Sequence, residues 1–185
     1  AFNNGGSLRA NLPAGPLTYG QAFELFPFDN KLTTLKMRGK DLARVVQNSL
    51  AGERGVISLA GLTAKASCEN GELKVSLLRA NGTPVADDAK LTVVTSDYVA
   101  KAGDGLLKGV QLTAADMSVQ DDKLVRDVLI AGLKHTPAAG LDPNNKKLFD
   151  AEHPRLSYPG KRPVKCGAAP AAAGEKPSEP AAKNP

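Results

Sequence analysis

Leu73-Lys74-Val75-Ser76-Leu77-Leu78-Arg79-Ala80-Asn81-Gly82-Thr83-Pro84-Val85 decides the fold class. Leu73, Val75 and Leu77 alternate with other residues, the period-2 pattern of a strand with one face against a core. Asn81-Gly82 follows, a pair that tolerates the positive backbone angles of a tight two-residue turn. The stretch therefore reads as a hairpin in which Leu73–Ala80 turns back through Thr83–Val85. Hairpins join antiparallel strands, which argues against an all-parallel, doubly wound sheet.

Upstream, Thr18 caps a short helix, Tyr19 to Phe26, which Pro27 ends. Lys31 to Arg38 reads as a strand. Gly39-Lys40-Asp41 then opens a helix with Leu42, Val45, Val46 and Leu50 on one face. Downstream, Leu91–Thr95 is another strand. Leu124, Val125, Val128, Leu129 and Leu133 mark a helix opened by Asp121-Asp122, with acidic residues at the favourable end of its dipole. The pattern is mixed α+β.

With 185 residues, 42% of them hydrophobic, the chain has room for one domain with its own core or for two very small ones. A single domain is expected over residues 1–159. The composition changes at about Gly160, and from Gly167 to Pro185 no large apolar residue occurs, so 160–185 reads as a Pro/Ala-rich tail unable to offset its conformational entropy. No apolar run approaches the ~20 residues of a membrane span. Ala1-Phe2 leads straight into Asn3-Asn4-Gly5-Gly6, a turn whose first element is missing, so the chain reads as a piece of something larger. Leu141–Tyr158 yields no reading.

Twenty-four Lys and Arg against nineteen Asp and Glu give a net charge of +5. The basic residues are scattered, with no run long enough to track a nucleic-acid backbone; the excess suits a small anion or plain solubility. Cys68 and Cys166 lack zinc-type spacing. Either they pair, closing a long loop in an oxidising compartment, or they are two unconnected buried thiols. His135 and His153 lack partners at ligand spacing, and no nucleophile elbow, phosphate-binding loop or Cys/His pair occurs. The chain carries no recognisable catalytic machinery.

Three segments hold chemistry. In Asn4-Gly5-Gly6-Ser7-Leu8-Arg9 the glycines allow close backbone approach and an anion-binding nest, and Arg9 offers a planar fork of donors. The plain alternative is a glycine turn with a solvated arginine. Phe28 follows the helix stop in Pro27-Phe28-Asp29-Asn30; it belongs either in the core or at a pocket mouth, with Asn30 near enough to read a ligand edge. Tyr98 ends the Leu91–Thr95 strand region, six residues before Asp104 of Gly103-Asp104-Gly105, a sequence that is also an ordinary turn.

Taken together, Asn4-Gly5-Gly6-Ser7-Leu8-Arg9, Leu17-Thr18-Tyr19-Gly20, Pro27-Phe28-Asp29-Asn30 and the Tyr98-to-Asp104 spacing resemble the C-terminal domain of the 5′-nucleotidases, in order, over about Asn4 to Leu133. That family includes UDP-sugar hydrolases and 2′,3′-cyclic-nucleotide phosphodiesterases. The resemblance implies a four-layer α/β/β/α domain that recognises a nucleotide. It implies that Phe28 and Tyr98 stack the base, Asn30 reads its edge, Asp104 holds ribose, and Asn4 and Arg9 meet phosphate or ribose. Catalysis would reside on an N-terminal metallophosphoesterase domain with two divalent metal ions, so this chain by itself should be inactive. The family also implies a periplasmic or otherwise exported parent. Ser7 replaces a common third glycine, Tyr98 a more usual Phe, and Lys101-Ala102 an Asn-Gly or Thr-Gly; a further phosphate-binding Arg of the family would precede residue 1. Two alternatives stand beside this reading: a non-catalytic nucleotide-binding envelope module, and the substrate domain of a thiosulfohydrolase-like relative, which the two candidate stacking rings disfavour.

Overall fold

The computed structural model describes residues 1–136 and 140–167. Its elements run β1 (Phe2–Asn4), α1 (Tyr19–Leu25), β2 (Lys31–Arg38), α2 (Gly39–Ala51), β3 (Ile57–Leu59), β4 (Leu62–Glu69), β5 (Glu72–Arg79), β6 (Lys90–Ser96), α3 (Asp97–Ala100), β7 (Met117–Leu124), α4 (Val125–Lys134) and β8 (Leu156–Ser157), with 3-10 turns at Gly5–Ser7 and Ala114–Asp116. They form a mixed helix-and-sheet domain, as the hairpin and helix patterns imply. Among the described residues no helix is long and apolar enough to cross a membrane.

Two three-stranded sheets share one apolar core. The first has the order β6-β2-β7, all antiparallel. Alternation along β2 sends Thr33, Leu35 and Met37 inward, and Val93 of β6 lies opposite Leu35. The second has the order β5-β4-β8, antiparallel between β4 and β5 and parallel between β4 and β8. Helix α2 packs against β2 of one sheet and β4 and β5 of the other. Its buried Leu42, Val45, Val46 and Leu50 form the stripe read from the sequence. Fully burying such a side chain contributes about 1.5–3 kcal/mol, which makes α2 the main structural joint.

The hairpin at Asn81-Gly82 exists in reduced form. Arg79 N–H donates to Thr83 O at 2.9 Å, and Val85 N–H to Leu77 O at 2.8 Å. Yet the returning arm makes only one bridge, Leu78 with Pro84, because proline has no N–H to continue a ladder. The full partner of β5 is β4, joined through Asn70-Gly71, where both residues take positive φ (52° and 80°). That second Asn-Gly turn, and the β4 strand before it, are absent from the sequence reading.

Asp121-Asp122 also needs correction. These residues lie on β7 rather than at a helix start, and α4 begins at Val125. β7 is an edge strand, where charges discourage pairing with another chain. Lys31 of β2 meets Asp121 at 2.5 Å. On α4, Val128 is exposed, and the buried residue is Arg126.

The silent stretch Leu141–Tyr158 supplies β8, whose Leu156 pairs with Ala64. The tail expected from Gly160 is described as far as Gly167, and that part is fastened to the domain. Val164 is buried and donates its N–H to Leu50 O at 2.9 Å, and Cys166 is disulfide-bonded to Cys68 on β4. Of the two fates open to the cysteines, pairing is the one adopted. Residues 168–185 of the expected tail lie outside the described residues.

Candidate functional site

Thr18 builds the first wall. Its side-chain oxygen accepts from the Gln21 N–H, and the Gln21 side chain accepts in return from the Thr18 N–H, a capping box that starts α1 where the sequence places it. α1 stops at Leu25; Phe26 is buried and stacks edge-on with Phe28, ring centres 6.1 Å apart. The Pro27–Asn30 segment that follows is held from behind by Arg126. Its guanidinium donates to Phe28 O at 3.3 Å and to Asp29 Oδ1 at 2.7 Å, and lies 4.6 Å from the Phe23 ring centre. The hydrogen bond to Asp29 raises the Arg126 pKa, so the guanidinium stays charged although it is buried.

β6 delivers the second wall. Ser96 caps α3, its hydroxyl accepting from the Val99 N–H at 3.3 Å, and Tyr98 stands just inside the cap. The Tyr98 hydroxyl donates to Gly103 O at 2.6 Å. A Cβ added to Gly103 would fall 2.4 Å from a Tyr98 ring carbon, so the ring rests directly on glycine backbone. Ala102 bends the chain there with φ 61°, a conformation disfavoured for alanine.

The Gly-rich turn forms the third wall, and it works differently from the expectation. Gly5 and Gly6 lie in a 3-10 turn, and neither takes positive φ. A Cβ on Gly5 would meet Val56 O at 2.6 Å, and one on Gly55 would meet Gly6 N at 2.8 Å. The glycine at position 5 therefore serves a close backbone-to-backbone approach within the protein. Gly6 lines the cleft, and only the Asn4 side chain, 3.8 Å away, approaches its Cβ position. Ser7 is buried; its hydroxyl donates to Asn4 O at 2.8 Å and accepts from Asn3 Nδ2 at 2.5 Å, which closes the turn.

These walls enclose a cleft of about 990 Å³. Asn4, Arg9, Phe28, Asn30, Tyr98 and Asp104 all line it, although they come from segments nearly a hundred residues apart. Phe28 is 38% exposed and Tyr98 42%, so both rings present area to solvent. Asp104 spends Oδ1 on the Leu106 N–H at 3.1 Å, which leaves Oδ2 buried without a partner. Asn4 Oδ1 is buried and unpartnered as well. An unsatisfied buried acceptor costs about 1–3 kcal/mol, so one on each of two cleft walls marks places for a hydrogen-bond donor. Arg9, Arg54, Lys108 and Arg162 also line the cleft, against the carboxylates Glu53 and Asp104, which favours an anion.

The sequence reading missed three of the contributors. Arg126 sits in the apolar run of α4, and a lone charge on that stripe was the available signal. Asn48 donates to Leu106 O and Lys108 O, both at 2.8 Å, tying α2 to the Asp104 loop. Arg162 lies in the segment expected to be tail. His153 also has neighbours that were not expected: Asp150, Glu152 and His153 bring one ligand atom each within 4.8 Å of one another. Asp150 is engaged by the His153 ring, which lowers its pKa, and by backbone N–H groups, while Glu152 pairs with Lys146 at 2.6 Å. None of the three lines the cleft. Among the described residues the cleft offers Glu53 and Asp104 but no His or Cys, a donor set that does not make a two-metal centre.

Comparison with known proteins identifies the family. Residues 1–111 match the family described as 5′-nucleotidase, C-terminal domain. The chain is 34% identical over 103 residues to the endonuclease YhcR of Bacillus subtilis (strain 168), covering 55% of this chain and 8% of that protein. It is 28% identical over 117 residues to a probable 5′-nucleotidase of Treponema pallidum (strain Nichols), covering 56% of this chain and 20% of that one. Among solved structures, the 5′-nucleotidase precursor of Thermus thermophilus superposes with a TM-score of 0.53 at 26% identity, over 65% of this chain and 25% of that one. The chain thus spans a fifth or less of the length of these two sequence relatives. With the family matched across the segments that build all three walls, the chain belongs to the 5′-nucleotidase C-terminal domain family.

Proposed function

We propose that this chain is the nucleotide-recognition domain of a 5′-nucleotidase or related phosphohydrolase. The observation that carries the reading is the convergence of Asn4, Arg9, Phe28, Asn30, Tyr98 and Asp104 on one cleft that holds two unpartnered buried acceptors. In this reading the base lies between Phe28 and Tyr98 with Asn30 at its edge. The free Asp104 Oδ2 accepts from ribose hydroxyls, which is the one role an ionised carboxylate can take toward a sugar. Arg9 meets the phosphate end, with Asn4 and the Gly6 face of the turn beside it. Base stacking contributes about 1–3 kcal/mol per contact, and a charge-assisted hydrogen bond about 1.5–3.

Hydrolysis would be the work of an N-terminal metallophosphoesterase domain of the same parent, where two divalent metal ions would activate water. The residues of this chain bind and orient. The disulfide between Cys68 and Cys166 supports a periplasmic or otherwise exported parent, since such bonds persist in oxidising compartments. The chain alone should therefore not hydrolyse AMP, UDP-glucose or a cyclic nucleotide.

Calorimetric titration tests the binding claim. AMP and adenosine should bind in the high-micromolar to millimolar range, because only one side of the site is present. Phe28→Ala and Tyr98→Ala should each weaken binding about 5- to 150-fold. Asp104→Ala should penalise adenosine more than adenine. Equal affinity for all ligands in all three variants would place the nucleotide elsewhere.

A further inference from the structure

We infer that the C-terminal strap, residues 160–166, is a working wall of the nucleotide cleft and that Arg162 is its positioning residue. The strap lies about fifty residues beyond the part of the chain that matches the family, residues 1–111. The inference rests on the nucleotide reading for its ligand, but the contacts behind it stand independently of any ligand.

The strap is secured at both ends. Before it, β8 pairs with β4, and Ala64 N–H donates to Arg155 O at 2.8 Å. At its far end, Cys166 is bonded to Cys68 on the same strand. Between these anchors Val164 enters the core beside Leu50, and Arg162 lines the cleft.

Arg162 acts on the last turn of α2 and the loop after it. Its Nε donates to Ser49 O at 3.1 Å, and the two hydrogens of one terminal nitrogen are shared among Ser49 O at 2.6 Å, Gly52 O at 3.0 Å and Arg54 O at 2.6 Å. A guanidinium suits this place, because the carbonyls at a helix C-terminus lack partners and carry the negative end of the dipole. A planar fork adds the Nε donor to those of the terminal nitrogen and holds both in a fixed plane, which an ammonium lacks. Among the described residues Arg162 has no carboxylate partner, so its full charge stands in the cleft wall.

The loop that Arg162 gathers is the support of the Gly-rich turn. Gly55 follows Arg54 directly, and its backbone is packed on Gly5 and Gly6 so closely that a Cβ would lie 2.8 Å from Gly6 N. Ser49 ties the same region together, its hydroxyl accepting the Ile57 N–H at 2.9 Å, and Ile57 pairs with Asn4 across β1 and β3. A continuous path of contacts therefore runs from Arg162 through residues 49–55 to Asn4 and the turn that carries Arg9. Releasing the strap should let the phosphate end of the cleft drift while the two aromatic walls stay in place.

The test is an amide NMR study of the full 185-residue oxidised chain, titrated with AMP. It compares wild type, Arg162→Ala, Arg162→Lys and the Cys68→Ser/Cys166→Ser pair. Without ligand, each variant should shift the amides of Gly52–Gly55 and Asn4–Arg9 and leave the Asn81–Thr83 turn unmoved. AMP affinity should fall about 5- to 30-fold in Arg162→Ala, about 1–2 kcal/mol at ~1.4 kcal/mol per factor of ten, as the phosphate end of the cleft loosens. Arg162→Lys should recover part of that loss, and adenosine affinity should change less than AMP affinity. Affinities within about twofold of wild type in all three variants, or shifts confined to 160–167, would overturn the inference. If wild type bound no AMP while the turn amides still moved, the nucleotide reading would fail and the hold of the strap on the turn would stand. Should Arg162→Ala not fold, the lysine variant and the cysteine pair decide the matter.

Discussion

Gly103 and Ala102 show how tightly single residues set the second wall. The Tyr98 ring rests on Gly103, so Gly103→Ala places a methyl where ring carbons lie and must displace the ring. That variant should remain folded and lose nucleotide affinity about as much as Tyr98→Ala, measured by the same titration. Ala102 carries the opposite lesson. Its φ of 61° costs an L-residue about 1–2 kcal/mol, whereas glycine there costs ~0.4–1 in unfolded-chain entropy. Ala102→Gly should therefore raise unfolding stability by about 0.5 kcal/mol in urea melts without changing AMP affinity.

Asp97 joins the residue scale to the elements it connects. Burial pushes its carboxyl up, but bonds from the Lys31 N–H and the Lys101 ammonium outweigh burial and hold it below the ordinary 3.8. A carboxyl depressed in the folded state contributes stability above its unfolded pKa and loses it as pH falls through the folded one. Stability should thus drop as pH falls below about 3.8, and Asp97→Asn should flatten part of that drop in urea midpoints compared at about pH 6 and about pH 3.

At the scale of elements, α4 matters for the site through one side chain. Arg126 reaches back to Phe28 O and Asp29, so it fixes the angle at which the Phe28 loop leaves α1. Arg126→Ala leaves the loop without its clamp and removes charge-assisted bonds worth about 1.5–3 kcal/mol each, offset by the 77% exposure of the Asp29 side chain. The expected outcome is a loss of about 1–3 kcal/mol in stability, with amide shifts centred on residues 27–30. A change limited to α4 would show that the loop holds itself.

Elements whose pattern is local were legible in the sequence. β2, α2 and the Thr18 cap stand where alternation, a 3.6-residue stripe and a capping box place them. β7 was not, because Asp121, Asp122 and Lys123 hide the period of an edge strand. β4 was not, because Ala64 and Ala66 are small and give its inward face little apolar contrast. At the site, the residues on chain-local motifs were readable, and all six of the named side chains line the cleft. Asn48 and Arg162 were not, since each works through backbone carbonyls of distant segments and a carbonyl leaves no trace in the sequence; Arg126 was not, since its partner Asp29 lies 97 residues away.

At the scale of the whole molecule, the disulfide joins residues 98 apart and fastens the last described segment to β4. A crosslink across so long a loop restricts the unfolded chain and contributes about 4–5 kcal/mol in the chain-entropy model. The Cys68→Ser/Cys166→Ser pair should lose about 3–5 kcal/mol by denaturant unfolding while keeping its secondary structure by circular dichroism. Both cysteines of the native chain should resist thiol labelling under denaturing, non-reducing conditions.

The central claim, that two aromatic walls hold a nucleobase between them, is met most directly by intermolecular NOEs in the adenosine-saturated chain. Cross-peaks from the adenine protons to the ring protons of both Phe28 and Tyr98, with upfield ring-current shifts of the base, are the predicted result. Adenine cross-peaks that reach neither ring, from a ligand bound at the same concentration, would contradict it.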